Sequence, residues 1–139
     1  MSHKIIRQIY EARLAAWAAA KVAALRIAYE GVTFTPADGE TYLAAFTLPA
    51  GTSSETLGGD HRTYTGLFQV SVVTPSGAGT GKAEGIVDEL AALFPLNARY
   101  TKTGFTVMTL SPVEPGPGVP DGDTWTVSAS FQYRADTTS

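Results

Sequence analysis

The sequence predicts an α+β fold, a mainly antiparallel twisted sheet with two amphipathic helices packed on one face. Three observations lead there. Two segments, 4–24 and 80–94, carry apolar residues at helical spacing. Six others alternate with period two between Gly, Pro and Asp breakers, in the order α-β-β-β-α-β-β-β. The connections between neighbouring strands permit antiparallel pairing, and two amphipathic helices each need a surface to cover. No internal repeat or shift of composition divides residues 1–139, so the chain reads as one domain.

The first helix, 4–24, is rich in Ala and lacks Gly and Pro. Ile6, Tyr10, Leu14 and Trp17 form its stripe, widened by Ile9, Ala20 and Ala24. Arg13 falls inside that stripe, which predicts a snorkelling side chain or a face only partly covered. From Leu25 the period falls to two, giving a short strand at 25–29 that Glu30-Gly31 ends. Pro36 and Asp38-Gly39 signal a turn. Residues 41–48 are apolar on both faces, as expected of a strand that is central or covered on both sides.

Residues 49–62 are polar and read as a long connection. Residues 63–73 form a strong strand with Tyr64, Gly66, Phe68, Val70 and Val72 on one face, broken by Pro75-Ser76-Gly77. The second helix, 80–94, places Ala83, Ile86, Val87, Leu90, Leu93 and Phe94 on one side, with Glu84, Asp88 and Glu89 opposite. Thr80 suits its N-cap, Glu84 its first turn, and Pro95 stops it. Residues 99–102 and 105–110 make a hairpin around Thr103-Gly104. Residues 111–123 hold four prolines and three glycines, a composition that predicts a second long loop with neither helix nor paired strand. The final strand alternates cleanly, with Trp125, Val127, Ala129, Phe131 and Tyr133 facing one way and Thr126, Ser128, Ser130, Gln132 and Arg134 the other. Residues 135–139 read as a loose tail.

Composition then narrows the functional classes. Hydrophobic residues make up 44% of 139 and charged residues 17%, a globular balance with a low charged share that leaves surface for protein contacts. The net charge is −3 without a basic run, so a phosphate grip on nucleic acid is not expected. Absent cysteine removes disulfides, thiolate nucleophiles and the Cys-containing zinc sites. No stretch approaches the roughly 20 apolar residues of a membrane span. The opening residues enter an amphipathic pattern rather than a signal peptide, so synthesis in the cytoplasm is expected.

Catalytic patterns are incomplete. Ser76-Gly77-Ala78-Gly79-Thr80-Gly81-Lys82-Ala83 lies between a strand and a helix, where a phosphate-binding loop would sit. Ser76 replaces the first glycine of that motif and Ala83 its magnesium-binding hydroxyl. The turn reads as a Gly-rich helix start; the competing reading is a small nucleotide-binding protein or hydrolase. The two histidines, His3 and His61, are too few and too far apart for a triad or metal cluster. Ser53-Ser54 lacks a nucleophile elbow, and Asp121 with Asp123 lacks EF-hand spacing. No catalytic residue, cofactor or metal ligand is assigned.

Several phrases together carry a likeness. They are the opening helix running into Leu25-Arg26-Ile27-Ala28-Tyr29-Glu30, the Phe34-Thr35-Pro36 to Tyr42-Leu43 stretch, Thr65 through Val72, Gly79 through Phe94, and the closing Phe131-Gln132-Tyr133-Arg134. In this pattern the chain resembles the tail terminator proteins of long-tailed bacteriophages. The resemblance implies a non-enzymatic virion protein at the head-proximal end of the tail. It would form a ring, commonly a hexamer, that caps the tail tube, ends its polymerisation and presents a surface to head-completion proteins. DNA would pass through the lumen without specific binding. A head–tail connector or another minor tail protein is the neighbouring reading. In a ring each subunit meets its neighbours through two different patches. The expected anchors for subunit or tube contacts are the apolar residues of the two long loops, Leu57, Val113 and Val119, with His61 and Arg62 as polar partners.

Overall fold

The computed structural model describes residues 3–21, 24–54, 61–77, 81–102 and 105–138, leaving aside the side chains of Ser53, Ser54, His61, Asp121, Thr137 and Thr138. The elements are α1 (His3–Ala20), β1 (Arg26–Tyr29), β2 (Tyr42–Ser54), β3 (His61–Pro75), α2 (Gly81–Leu93), β4 (Arg99–Lys102), β5 (Phe105–Thr109), β6 (Glu114–Asp121) and β7 (Thr124–Thr138). The strands form one sheet in the order β1-β2-β3-β7-β5-β4, with β6 also paired to β7. Every pairing is antiparallel except β1 with β2, which run parallel from Arg26↔Tyr42 to Tyr29↔Ala45. The predicted α+β class holds, with both helices on one face.

The buried stripe of α1 is Ile6, Ile9, Tyr10, Leu14 and Ala18. The helix ends at Ala20, short of the predicted residue 24, because the chain turns back there: the Leu25 amide donates to the Ala18 carbonyl at 3.2 Å. Arg13 does snorkel. Its Nε donates to the Leu93 carbonyl at 2.9 Å, and its guanidinium lies 4.7 Å from the Tyr100 ring centroid. A cation thus satisfies an orphan carbonyl at the end of α2, where the helix dipole also favours it.

Direct pairing puts residues of neighbouring strands on the same face. The rows Leu43–Val72–Val127, Ala45–Val70–Ala129 and Thr47–Phe68–Phe131 therefore line the face under the helices. Tyr10 of α1 sits at the centre of this core. Its ring centroid lies 5.3 Å from Phe68, 5.0 Å from Phe131 and 5.7 Å from Phe94. Its hydroxyl bonds to Thr109 Oγ1 at 3.2 Å in a buried position, and desolvation holds its pKa well above the usual tyrosine range.

Three sequence expectations need correction. The connection at 49–62 is mostly sheet: β2 continues to Ser54 and β3 begins at His61, in register from Gly51↔Thr65 to Ser54↔Arg62. These polar residues pair because the core register carries on past the core, with an irregularity between Pro49 and Gly51. The second predicted loop contains β6, which pairs with β7 from Glu114↔Ser130 to Asp121↔Thr124. Pro115, Pro117 and Pro120 are tolerated because β6 is an edge strand, where an N–H facing outward is not needed. The supposed loose tail continues β7 through Thr138, paired with β3 as far as His61↔Thr138.

β5 and β6 lie end to end along the same side of β7. Thr109 pairs with Tyr133, the Leu110 amide donates to the Gln132 carbonyl at 2.8 Å, and the Gln132 amide donates to Ser111 Oγ at 2.8 Å. Glu114 then resumes the ladder at Ser130. The central strand is consequently flanked along nearly its full length on both sides.

Candidate functional site

The face of the sheet turned away from the helices is bare. On β7 it carries Thr126, Ser128, Ser130, Gln132 and Arg134; on β3 it carries Thr65, Leu67, Gln69 and Ser71. Hydroxyls pair across it, Ser71 Oγ with Ser128 Oγ at 3.0 Å and Thr101 Oγ1 with Thr106 Oγ1 at 2.7 Å. Towards β2 the surface turns apolar. Tyr42, Ala44, Phe46 and Leu48 share this face, Leu48 is 42% exposed, and Leu67 lies directly across from it. The sequence showed that both faces of β2 are apolar; the strand is central, yet no described element covers its second face.

The residues expected as anchors do not converge. Leu57 lies outside the described residues. His61 opens β3 opposite Thr138, its side chain outside the description, and Arg62 follows as an exposed residue paired with Ser54 and Thr137. Val113 is half-buried and packs against the core, so it is not an exposed loop anchor. Val119 is 54% exposed and pairs with Thr126, at the opposite end of β7 from Arg62. Eleven residues of β7 (126 to 137) separate the two levels, roughly 36 Å of strand. Arg62 and Val119 therefore belong to different patches.

A groove that the sequence did not reveal lies between α2 and the edge strand β6. It encloses about 380 Å³, floored by Trp125, Val87 and Val127 and rimmed by Glu84, Asp88 and Pro115. Gly118 is required here, since a Cβ would overlap the Trp125 indole. Trp125 Nε1 is buried without a hydrogen-bond acceptor. Only once β6 is recognised as a strand do the acids of α2 and Trp125 come together, which is why no local motif announced the groove.

Two further clusters are built structures. Arg26 donates to Glu40 Oε2 and Oε1 at 2.7 and 2.6 Å and to the Thr35 carbonyl at 3.0 Å, and its guanidinium stacks 4.6 Å from the Phe34 ring centroid. With the Ala37 amide also donating to Glu40, the carboxylate pKa is held down at about 2. This clip organises the segment that the sequence read as a turn. At the start of α1, His3 Nδ1 and the Tyr133 hydroxyl are 2.7 Å apart, and His3 Nε2 lies 3.3 Å from Thr52 Oγ1. Burial lowers the His3 pKa and pushes Tyr133 up to about 12, so both are neutral near pH 7, with the phenol donating to the imidazole.

Of the Gly-rich turn, Ser76 and Gly77 are described, while 78–80, including the proposed Thr80 cap, lie outside the described residues. Lys82 is exposed in the first turn of α2. Among the described residues no group of three or more His, Asp or Glu side chains is placed to hold a metal ion. Likewise, no described helix is long and apolar enough to cross a membrane.

The architecture, two helices on one face and unlike patches at the sheet ends, is shared with known proteins. The family model described as phage tail terminator protein matches residues 5–133. The chain belongs to the phage tail terminator family. A solved structure 40% identical in sequence covers 97% of this chain and 96% of its own, with a TM-score of 0.83. No curated protein matches. Membership makes this tail terminator family chain a phage tail structural protein, a virion component whose family is one of assembly rather than catalysis.

Proposed function

We propose that the chain is the subunit of a homo-oligomeric ring, a hexamer, that caps the head-proximal end of the tail tube. The ring ends tube polymerisation and offers the joining surface to the head-completion protein. The observation that carries this reading is the family match across residues 5–133. The geometry is compatible in a specific way. A cyclic ring needs two unlike patches on each subunit. The chain has them in its α2–β6 groove and in the far end of its sheet around Arg62 and Arg134. The bare face, hydroxyl-rich and without a basic run, suits a surface that DNA passes without capture, in keeping with the net charge of −3.

The test is arrest of tube growth. Purified protein added to polymerising tube protein of the same phage is expected to give short tubes capped at one end, with a ring of about 88 kDa seen by light scattering. Unchanged tube lengths at saturating protein would sink the capping role.

A further inference from the structure

We propose that the α2–β6 groove receives the arginine-bearing end of the sheet of a second copy of this chain, so that the subunits join acid to base around the assembly. This rests on the ring reading above and names the contact within it.

The groove is built to hold something it lacks. Glu84 and Asp88 stand four residues apart on α2, a like-charge spacing that disfavours an isolated helix. Both are exposed, and neither has an ion pair or hydrogen-bond partner among the described residues. Between them and β6 lies an apolar floor dominated by Trp125 and Val87. An acidic rim above an indole matches a side chain with an apolar stem and a cationic head, which buries the stem and pairs the head. A main-chain carbonyl arriving with it would offer the buried Trp125 N–H the acceptor it lacks, given a small shift of the Gly-rich edge strand.

The same chain carries the complement out of its own reach. Arg62 and Arg99 are exposed, and neither has a partner among the described residues. They sit at the end of the sheet where β3 begins and β7 finishes: Arg62 pairs with Thr137, and Arg99 with Met108, which in turn pairs with Arg134. Nine residues of β7 separate Trp125 from Arg134, roughly 30 Å, several times the reach of an arginine side chain. The other described cations near α2 are engaged, Lys21 with Glu89 at 2.7 Å and Arg13 with the Leu93 carbonyl. Neutralising Glu84 and Asp88 by Arg62 and Arg99 therefore requires a second molecule. Such a contact is heterologous, the type that generates a closed ring.

A charge swap tests the pairing. One variant carries Glu84→Lys and Asp88→Lys, the other Arg62→Glu and Arg99→Glu. All four positions are exposed, so circular dichroism and melting of each variant should match the wild type. Size-exclusion light scattering is expected to show each variant alone dissociating at protein concentrations at least about tenfold higher than the wild type. Mixed in equal amounts, the two are expected to reassemble, because an alternating ring makes every interface complementary again. Assembly of either variant alone at wild-type concentrations would overturn the proposal and leave the ring standing. Failure of the mixture to assemble, with the wild type assembled, would overturn the pairing too. A wild type monomeric at every concentration would remove the free ring itself and this contact with it.

Discussion

The two faces of the sheet are made from the same strands and have opposite physical characters. Beneath the helices, Phe68, Val72, Val107, Phe131 and Tyr133 are almost entirely excluded from water, and five aromatic rings surround Tyr10. On the other face, Ser, Thr and Gln ladders run beside an apolar strip on β2 and β3. The difference teaches that stability and interaction are assigned to opposite sides of one backbone. Period-two alternation lets each side vary without touching the other.

That comparison breaks if the faces respond alike to truncation. The largest effect is expected from Phe68→Ala, which opens a cavity beside Tyr10 and should cost about 3–5 kcal/mol in denaturant unfolding. Next comes Tyr10→Phe. It strands the Thr109 hydroxyl, which is fully buried, and should cost about 1–3 kcal/mol by the same measurement. On the bare face, Gln132→Ala should change unfolding by no more than about 0.5 kcal/mol. A loss there as large as at Phe68 would mean that this face is covered within the monomer.

The smallest effect concerns the clip at the sheet edge. The Glu40 pKa lies at about 2 in the folded protein against 4.5 for the free group, so its contribution is fully present above pH 4.5 and is lost as pH falls towards 2. Glu40 is solvent-exposed, and the consequence is local: the Ala37 amide should gain hydrogen-exchange rate across that window. In Glu40→Gln the pH step should vanish. An Ala37 amide indifferent to pH in the wild type would remove the clip from the description.

Legibility followed the strength of the hydrophobic pattern. The core face of β7 was readable from Trp125 through Tyr133 because one side is buried and the other polar. The Arg13 anomaly within the α1 stripe correctly marked a snorkelling contact. β6 was unreadable because Pro115, Pro117 and Pro120 suppress strand propensity, and only its edge position makes them harmless. The outer arms of β2 and β3 hold no alternating apolar residues, so their pairing is inherited from the register of the core. The parallel direction of β1 is invisible to periodicity, which counts faces and not polarity. For the same reason the candidate anchors were only partly placed. Val119 was found exposed, Val113 turned inward, and the groove needed a strand that composition concealed.

The position of β7 has a consequence for how the molecule comes into being. It is the last strand of the chain, and β3, β5 and β6 all pair with it. A nascent polypeptide stopped at residue 123 possesses both helices and six strands but lacks the member that joins them. Its β3 edge and its buried aromatics have nothing to close upon. Folding is thereby deferred to the release of the complete chain, with high contact order and slow pairing as the result. Until then the half-made sheet is the species most exposed to aggregation, and a chaperone has most reason to hold it.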